Sequence, residues 1–127
     1  MTYTIRQISE LTGLTPHTLR YYDKEGLLPL IERGNGGYRH FSEQDLEWLR
    51  LVCCLRSTGM SVRQIKEFGR LNELGDSTLG ERCEMLRQHK KQVEAQIAEM
   101  QEHLARVDAK IETFTELYRE YLAQKKA

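Results

Sequence analysis

Net charge is missing from this chain: 19 lysines and arginines balance 19 aspartates and glutamates over 127 residues. Bulk charge therefore gives no pull toward nucleic acid, and any phosphate-binding surface has to come from local clustering of Lys and Arg. Long apolar runs are missing too. No stretch approaches the roughly 20 residues of a membrane span, and the N-terminus lacks the charged-then-apolar layout of a signal peptide. We therefore expect a cytoplasmic protein without a membrane partner. Cysteine is scarce, at three residues, and in a reducing compartment these are expected as thiols rather than as disulfides. Catalytic constellations are also lacking. Glu43, Asp45, Glu47 and the histidines fall on separate helical faces without a nucleophile–base pairing, and no Gly-rich phosphate cradle or metal motif accompanies them. Neither an enzyme nor a bound cofactor is expected. The length leaves room for one small domain plus an extension, not for two globular domains.

What is present begins with a basic-aromatic cluster, Thr15-Pro16-His17-Thr18-Leu19-Arg20-Tyr21-Tyr22. Thr15 can accept from the free amides of a first helical turn, and Pro16 suits the first helical position because it has no amide to leave unpaired. At about 100° per residue, Leu19 and Tyr22 share one side of that helix, and His17, Arg20 and Tyr21 share another. The first side suits a core; the second offers a guanidinium, an imidazole and a phenol to a partner. Upstream, Thr4 caps a helix with Ile5, Ile8 and Leu11 at helical spacing, and Gly13 supplies the turn between the two. Two short helices joined through a glycine are the layout of a helix-turn-helix, whose second helix enters the major groove. In segment 27–41, Ile31 and Tyr38-Arg39-His40-Phe41 flank Gly34-Asn35-Gly36-Gly37, a run that tolerates positive φ. This predicts a β-hairpin wing with Arg33 and Arg39 near its tip for phosphates.

In order and spacing, several pieces together resemble a MerR-family transcription regulator. They are Thr4-Ile5 leading into Leu14-Thr15, the run Thr18-Leu19-Arg20-Tyr21-Tyr22-Asp23, Gly26-Leu27-Leu28, Gly37-Tyr38-Arg39, and Gly59-Met60-Ser61 with Ile65. The resemblance covers essentially the whole chain. It implies double-stranded DNA as partner, with His17, Thr18, Arg20, Tyr21, Arg33, Tyr38 and Arg39 at the interface. It also implies binding between two promoter elements, with the duplex distorted so that RNA polymerase reads an overlong spacer.

Ser42 with Asp45 three residues on predicts the start of a helix over Glu43–Ser57, stopped by Gly59, and Ser61 caps the next, which breaks near Gly75-Asp76. In the family this pair forms a second wing, which gives Arg63 and residues 58–61 a phosphate-facing role. Arg56 and Arg63 are otherwise ordinary solvated side chains.

From Leu79 the positions Cys83, Leu86, Lys90, Val93, Ile97, Met100, Leu104, Val107, Ile111, Phe114, Tyr118 and Tyr121 advance by alternating steps of four and three. Only Lys90 interrupts the apolar seam. The pattern predicts a coiled-coil helix of roughly five to six heptads. The rest of the chain is too small to cover a helix of roughly 60 Å, so a second copy must do so, making a homodimer along Leu86, Val93, Ile97, Met100, Leu104, Val107, Ile111 and Phe114. Family resemblance, not periodicity, implies that the two helices run antiparallel. The fold expected is all-α with a small β-hairpin wing: a winged helix-turn-helix over residues 1–76, then a dimerisation coiled-coil helix over 77–127.

The effector is harder to read. The metal-responsive branches carry a Cys-containing loop after the long helix, whereas residues 112–127 hold neither Cys nor His. Cys83 is a seam position, and His89 and His103 fall off the seam where exposed histidines are ordinary, so no metal is expected. A drug-binding reading needs a further ligand domain after Ala127. Cys53 groups with Leu46 and Leu49 as a small core residue, while Cys54 falls beside Glu43, Glu47 and Arg50 on the polar side. There Arg50 favours the thiolate and the two glutamates oppose it. The string Cys54-Leu55-Arg56-Ser57-Thr58-Gly59-Met60 resembles the branch that answers aldehydes and other electrophiles through a thiol. The alternatives are a regulator with a non-thiol effector, in which Cys54 is inert, and a dimerisation adaptor that does not bind DNA.

Overall fold

The computed structural model of the chain describes residues 2–28 and 40–126. Its elements in order are β1 (Thr2–Tyr3), α1 (Ile5–Thr12), α2 (Pro16–Lys24), β2 (Phe41–Ser42), α3 (Glu43–Ser57), α4 (Val62–Glu73), a 3-10 turn (Asp76–Thr78) and α5 (Leu79–Lys126). They fall into two units, residues 1–87 and 88–127.

Local sequence explains most of the boundaries in the first unit. Three helices open with reciprocal side-chain caps: Thr4 with Gln7, Ser42 with Asp45, and Ser61 with Gln64. Each cap satisfies two of the amides a helix start leaves free and is worth about 1 kcal/mol. Gly13, with φ of 76°, closes α1 in the left-handed region and turns the chain toward α2. Gly59 at φ 100° does the same between α3 and α4.

The core gathers one face from each helix. Ile8 of α1, Leu19 of α2, Leu49 and Val52 of α3, Ile65 of α4 and Phe41 of β2 are all fully buried. Leu46, Leu55, Met60, Tyr22 and Leu27 complete the same cluster. Leu11 shares the apolar spacing of α1 but is 47% exposed. Trp48 seals the side of this core: its ring stacks on Phe68 at 5.8 Å, and its indole nitrogen donates to the carbonyl of Leu27 at 2.7 Å. Gly69 lets the ring lie there, since a Cβ at that position would meet Trp48 at 3.3 Å.

The two strands pair antiparallel, Thr2 with Ser42 and Tyr3 with Phe41. The sheet therefore ties the N-terminus to the entry of α3, an arrangement that no hairpin turn signals. Tyr3 reinforces it by donating its hydroxyl to Glu43. The hairpin expected around Gly34-Asn35-Gly36-Gly37, with Ile31, lies outside the described residues.

Leu79 opens the long helix where the heptads begin, and α5 continues for 48 residues. In its first turns one side of the helix is withdrawn from solvent in the single chain and the seam side is not. Arg82, Met85, His89 and Val93 are the residues withdrawn from solvent, whereas Cys83, Leu86 and Lys90 are exposed. His89, expected as an ordinary exposed histidine, is only 8% exposed. From Ile97 onward the expected seam stands open: Ile97, Met100, Leu104, Val107, Ile111, Phe114, Tyr118 and Tyr121 are each more than half exposed. Leu117 and Leu122 broaden the stripe toward its end, a widening that counting one position per turn did not find.

Candidate nucleic-acid interface

The presentation of α2 follows from its cap and its buried side. The backbone of Thr15 is extended, at φ −72° and ψ 154°, and its hydroxyl accepts from the Thr18 amide at 3.1 Å, with Pro16 in the first turn. Leu19 is fully buried and Tyr22 is 8% exposed, so the helix cannot rotate without opening the core. His17, Arg20 and Tyr21 therefore project to solvent together. Among the described residues, neither His17 nor Arg20 has a hydrogen-bond or ion-pair partner, which leaves both polar ends available. Tyr21 is 47% exposed, with its ring 6.1 Å from that of Tyr22. Thr18 is half-buried, and its hydroxyl lies 3.0 Å from that of Thr15. It belongs as much to the cap as to the outer face.

Of the other expected DNA-facing residues, Arg63 is exposed in the first turn of α4. Arg33, Tyr38 and Arg39 lie outside the described residues. Arg63 stands beside the turn at residues 58–61, whose shape is held from inside. Thr58 donates to the carbonyl of Cys54 at 2.7 Å, and Arg56 donates to the carbonyl of Met60 at 3.0 Å.

Arg56 is thus exposed, as expected, but its guanidinium is engaged by the turn. It also lies close enough to the phenol of Tyr22 to act on it electrostatically, on the buried side of α2. Desolvation holds that phenol above its ordinary pKa, with the Cys53 thiol adding to the effect and Arg56 opposing it. The spacing of Arg56 within α3 does not reveal this role, because Tyr22 is 34 positions away in sequence.

The adjacent cysteines separate by environment. Cys53 is half-buried, and burial pushes its thiol pKa up, which makes it a poor nucleophile. Cys54 is exposed one position on. Arg50, expected to favour the Cys54 thiolate, also pairs with Glu47 at 3.6 Å. Among the described residues no three His, Cys, Asp or Glu side chains cluster as a metal would require, and no helix is long and apolar enough to cross a membrane.

In the second unit, Val107, Ile111, Phe114 and Tyr118 line a shallow apolar concavity edged by Arg106 and Lys110. It is one stretch of the open stripe on α5.

Comparison with known proteins agrees with this geometry. Residues 3–70 match the family model for MerR HTH family regulatory proteins, and residues 46–109 match the model described as MerR, DNA binding. An uncharacterised HTH-type transcriptional regulator of Haemophilus influenzae is 43% identical over 111 residues, 87% of this chain and 82% of its own length. The HTH-type transcriptional regulator AdhR of Bacillus subtilis is 37% identical over 82 residues, 65% of this chain and 59% of its own. Among solved structures, HiNmlR, a MerR family regulator lacking the sensor domain and bound to promoter DNA, superposes with a TM-score of 0.84. It is 41% identical, with 91% of this chain and 92% of that chain covered. A MerR-family regulator from Bacillus thuringiensis superposes at 0.82 with 37% identity, covering 87% and 97%. The chain belongs to the MerR family of helix-turn-helix regulators: it is a DNA-binding transcription factor and not an enzyme.

Proposed function

We propose that the chain acts as a homodimer on a palindromic promoter site, distorting the duplex to control transcription by RNA polymerase, and that Cys54 is the thiol through which electrophiles act on it. The observation that carries the dimer is the apolar stripe on α5 from Ile97 to Leu122, every member of which is more than 40% exposed in the single chain. Burying one such side chain is worth about 1.5–3 kcal/mol, and a second copy offers the matching stripe with the same heptad spacing. By family resemblance the two helices run antiparallel. Two copies of α2 held at fixed separation then require two half-sites. A distorted duplex costs energy, which backbone contacts from Arg39, Arg63 and their neighbours in both copies offset. The segments 1–76 and 77–127 divide these tasks between DNA reading and dimerisation.

A gel shift at low and moderate salt, against DNA from the chain's own upstream region, tests the reading directly. We expect a single dimer complex whose affinity falls as salt rises. A dimer in sedimentation that shifts no DNA would favour the adaptor instead.

For Cys54 the chemistry is addition: the thiol sulfur bonds to an aldehyde carbon, and the thiol proton passes to the carbonyl oxygen. The adduct adds bulk and polarity in the turn of α3 that precedes residues 58–61. It shifts the dimer between conformers only as far as it interacts differently with each. Cys54→Ser is expected to keep DNA binding and lose induction by aldehydes. Cys53→Ser mainly lowers stability, by roughly 1 kcal/mol, since it puts a hydroxyl in a half-buried apolar site. Promoter output with and without aldehyde in each variant is the readout, and full induction in Cys54→Ser would leave Cys54 an inert residue.

A further inference from the structure

The joint between α4 and α5 is wired by side chains that no helix propensity requires. Thr78 is 5% exposed, and its hydroxyl faces the carbonyls of Leu71 and Gly75. Gly75 makes the turn at φ 88°. Arg82, one turn into α5, spends all three guanidinium nitrogens on this joint. Nε donates to the Thr78 hydroxyl at 3.1 Å, Nη1 to the Asn72 side-chain oxygen at 2.9 Å, and Nη2 to the Gly75 carbonyl at 3.0 Å. A planar fork with donors on three sides is the one side chain that can meet three acceptors at once in fixed geometry. The acceptors belong to the last turn of α4, the turn itself and the 3-10 segment, so Arg82 locks the start of α5 to the end of α4.

We infer that Arg82 is the positioning residue that sets how far apart the two halves of the operator lie: through Asn72, Gly75 and Thr78 it fixes the direction in which α5 leaves the DNA-reading unit. The inference rests on the homodimer proposed above. Half-site separation is a geometric property of the connection between recognition helix and dimer contact. A loose joint lets each reading unit dock on its own half-site at several separations. A locked joint admits one, and makes a mismatched duplex deform to fit. Arg82 is neither one of the exposed residues of α2 nor a member of the apolar stripe from Ile97, so its loss removes no residue from either surface.

The test uses the full chain as a dimer. Duplexes carrying two half-sites selected with the wild-type protein are prepared with the spacer altered one base pair at a time, together with a single half-site duplex. Affinity for each is measured for wild type, Arg82→Ala, Arg82→Lys and Asn72→Ala, alongside sedimentation and thermal melting. Wild type is expected to discriminate sharply among spacers. In Arg82→Ala the preference should flatten by about tenfold, equivalent to about 1.4 kcal/mol, while half-site affinity and the dimer persist. Arg82→Lys should not restore it, because one ammonium cannot reach three acceptors. Asn72→Ala, at an exposed position that keeps the Thr78 and Gly75 bonds, should flatten it partly and serves if Arg82→Ala fails to fold. Spacer preference equal to wild type in Asn72→Ala and in folded Arg82 variants, or full restoration by lysine, overturns the inference. A wild-type protein that binds no two-half-site duplex overturns the dimer reading instead.

Discussion

Ile97→Asp is expected to abolish dimerisation, and operator binding with it. Ile97 lies on the open stripe of α5 and is 53% exposed in the single chain, so its apolar area is removed from water only when a second copy covers it. An aspartate there loses that burial and forces a carboxylate against apolar neighbours, at about 2–3 kcal/mol per copy. Each dimer carries the change twice, and about 4–6 kcal/mol corresponds to roughly a thousand- to twenty-thousandfold weaker association. The first unit keeps its own core and caps and should remain folded. Sedimentation velocity and circular dichroism on the same sample separate the outcomes: a helical monomer is expected. Leu104→Asp, at a position 58% exposed, should behave alike. A monomer that still binds a two-half-site duplex as tightly as wild type would refute the coiled-coil dimer.

Arg20→Ala and Tyr21→Ala are expected to weaken operator binding without unfolding the protein. Both side chains are exposed and make no contribution to the core that Leu19 and Tyr22 fill from the other side of α2. A lost base-edge contact costs about 1–3 kcal/mol, or about 5- to 150-fold, and it relaxes preference at the base concerned. Arg63→Ala, and Arg39→Ala in the expected wing, should act differently. Loss of a phosphate contact weakens binding to all sequences alike and lowers the salt slope by about one per contact. Titrations at several salt concentrations against cognate and scrambled duplexes distinguish the two classes. Operator affinity unchanged in Arg20→Ala would remove α2 from the recognition role.

Much of this protein was readable in the sequence because its decisive signals are local. Thr4, Ser42 and Ser61 announce helix starts by capping amides two or three residues away, so no distant partner is involved. Leu19 with Tyr22, and His17 with Arg20 and Tyr21, separate onto opposite sides of α2 by helical period alone. The open stripe from Ile97 to Tyr121 is legible for the same reason. What the sequence could not decide depends on residues brought together by the fold. The pairing of Tyr3 with Phe41 joins strands 38 positions apart with no turn between them to mark it. Arg56 has the spacing of a solvent-facing residue, and only the packing of α2 on α3 puts the Tyr22 phenol within its reach. Heptad counting groups Cys83 and Leu86 on one side of α5, and it gives no sign that Arg82, Met85 and His89 are withdrawn from solvent. Periodicity identifies which residues share a side of a helix. Only the fold reveals the joint at which Arg82 meets Asn72, Gly75 and Thr78, because those hydrogen bonds run between elements and leave no period along any one of them.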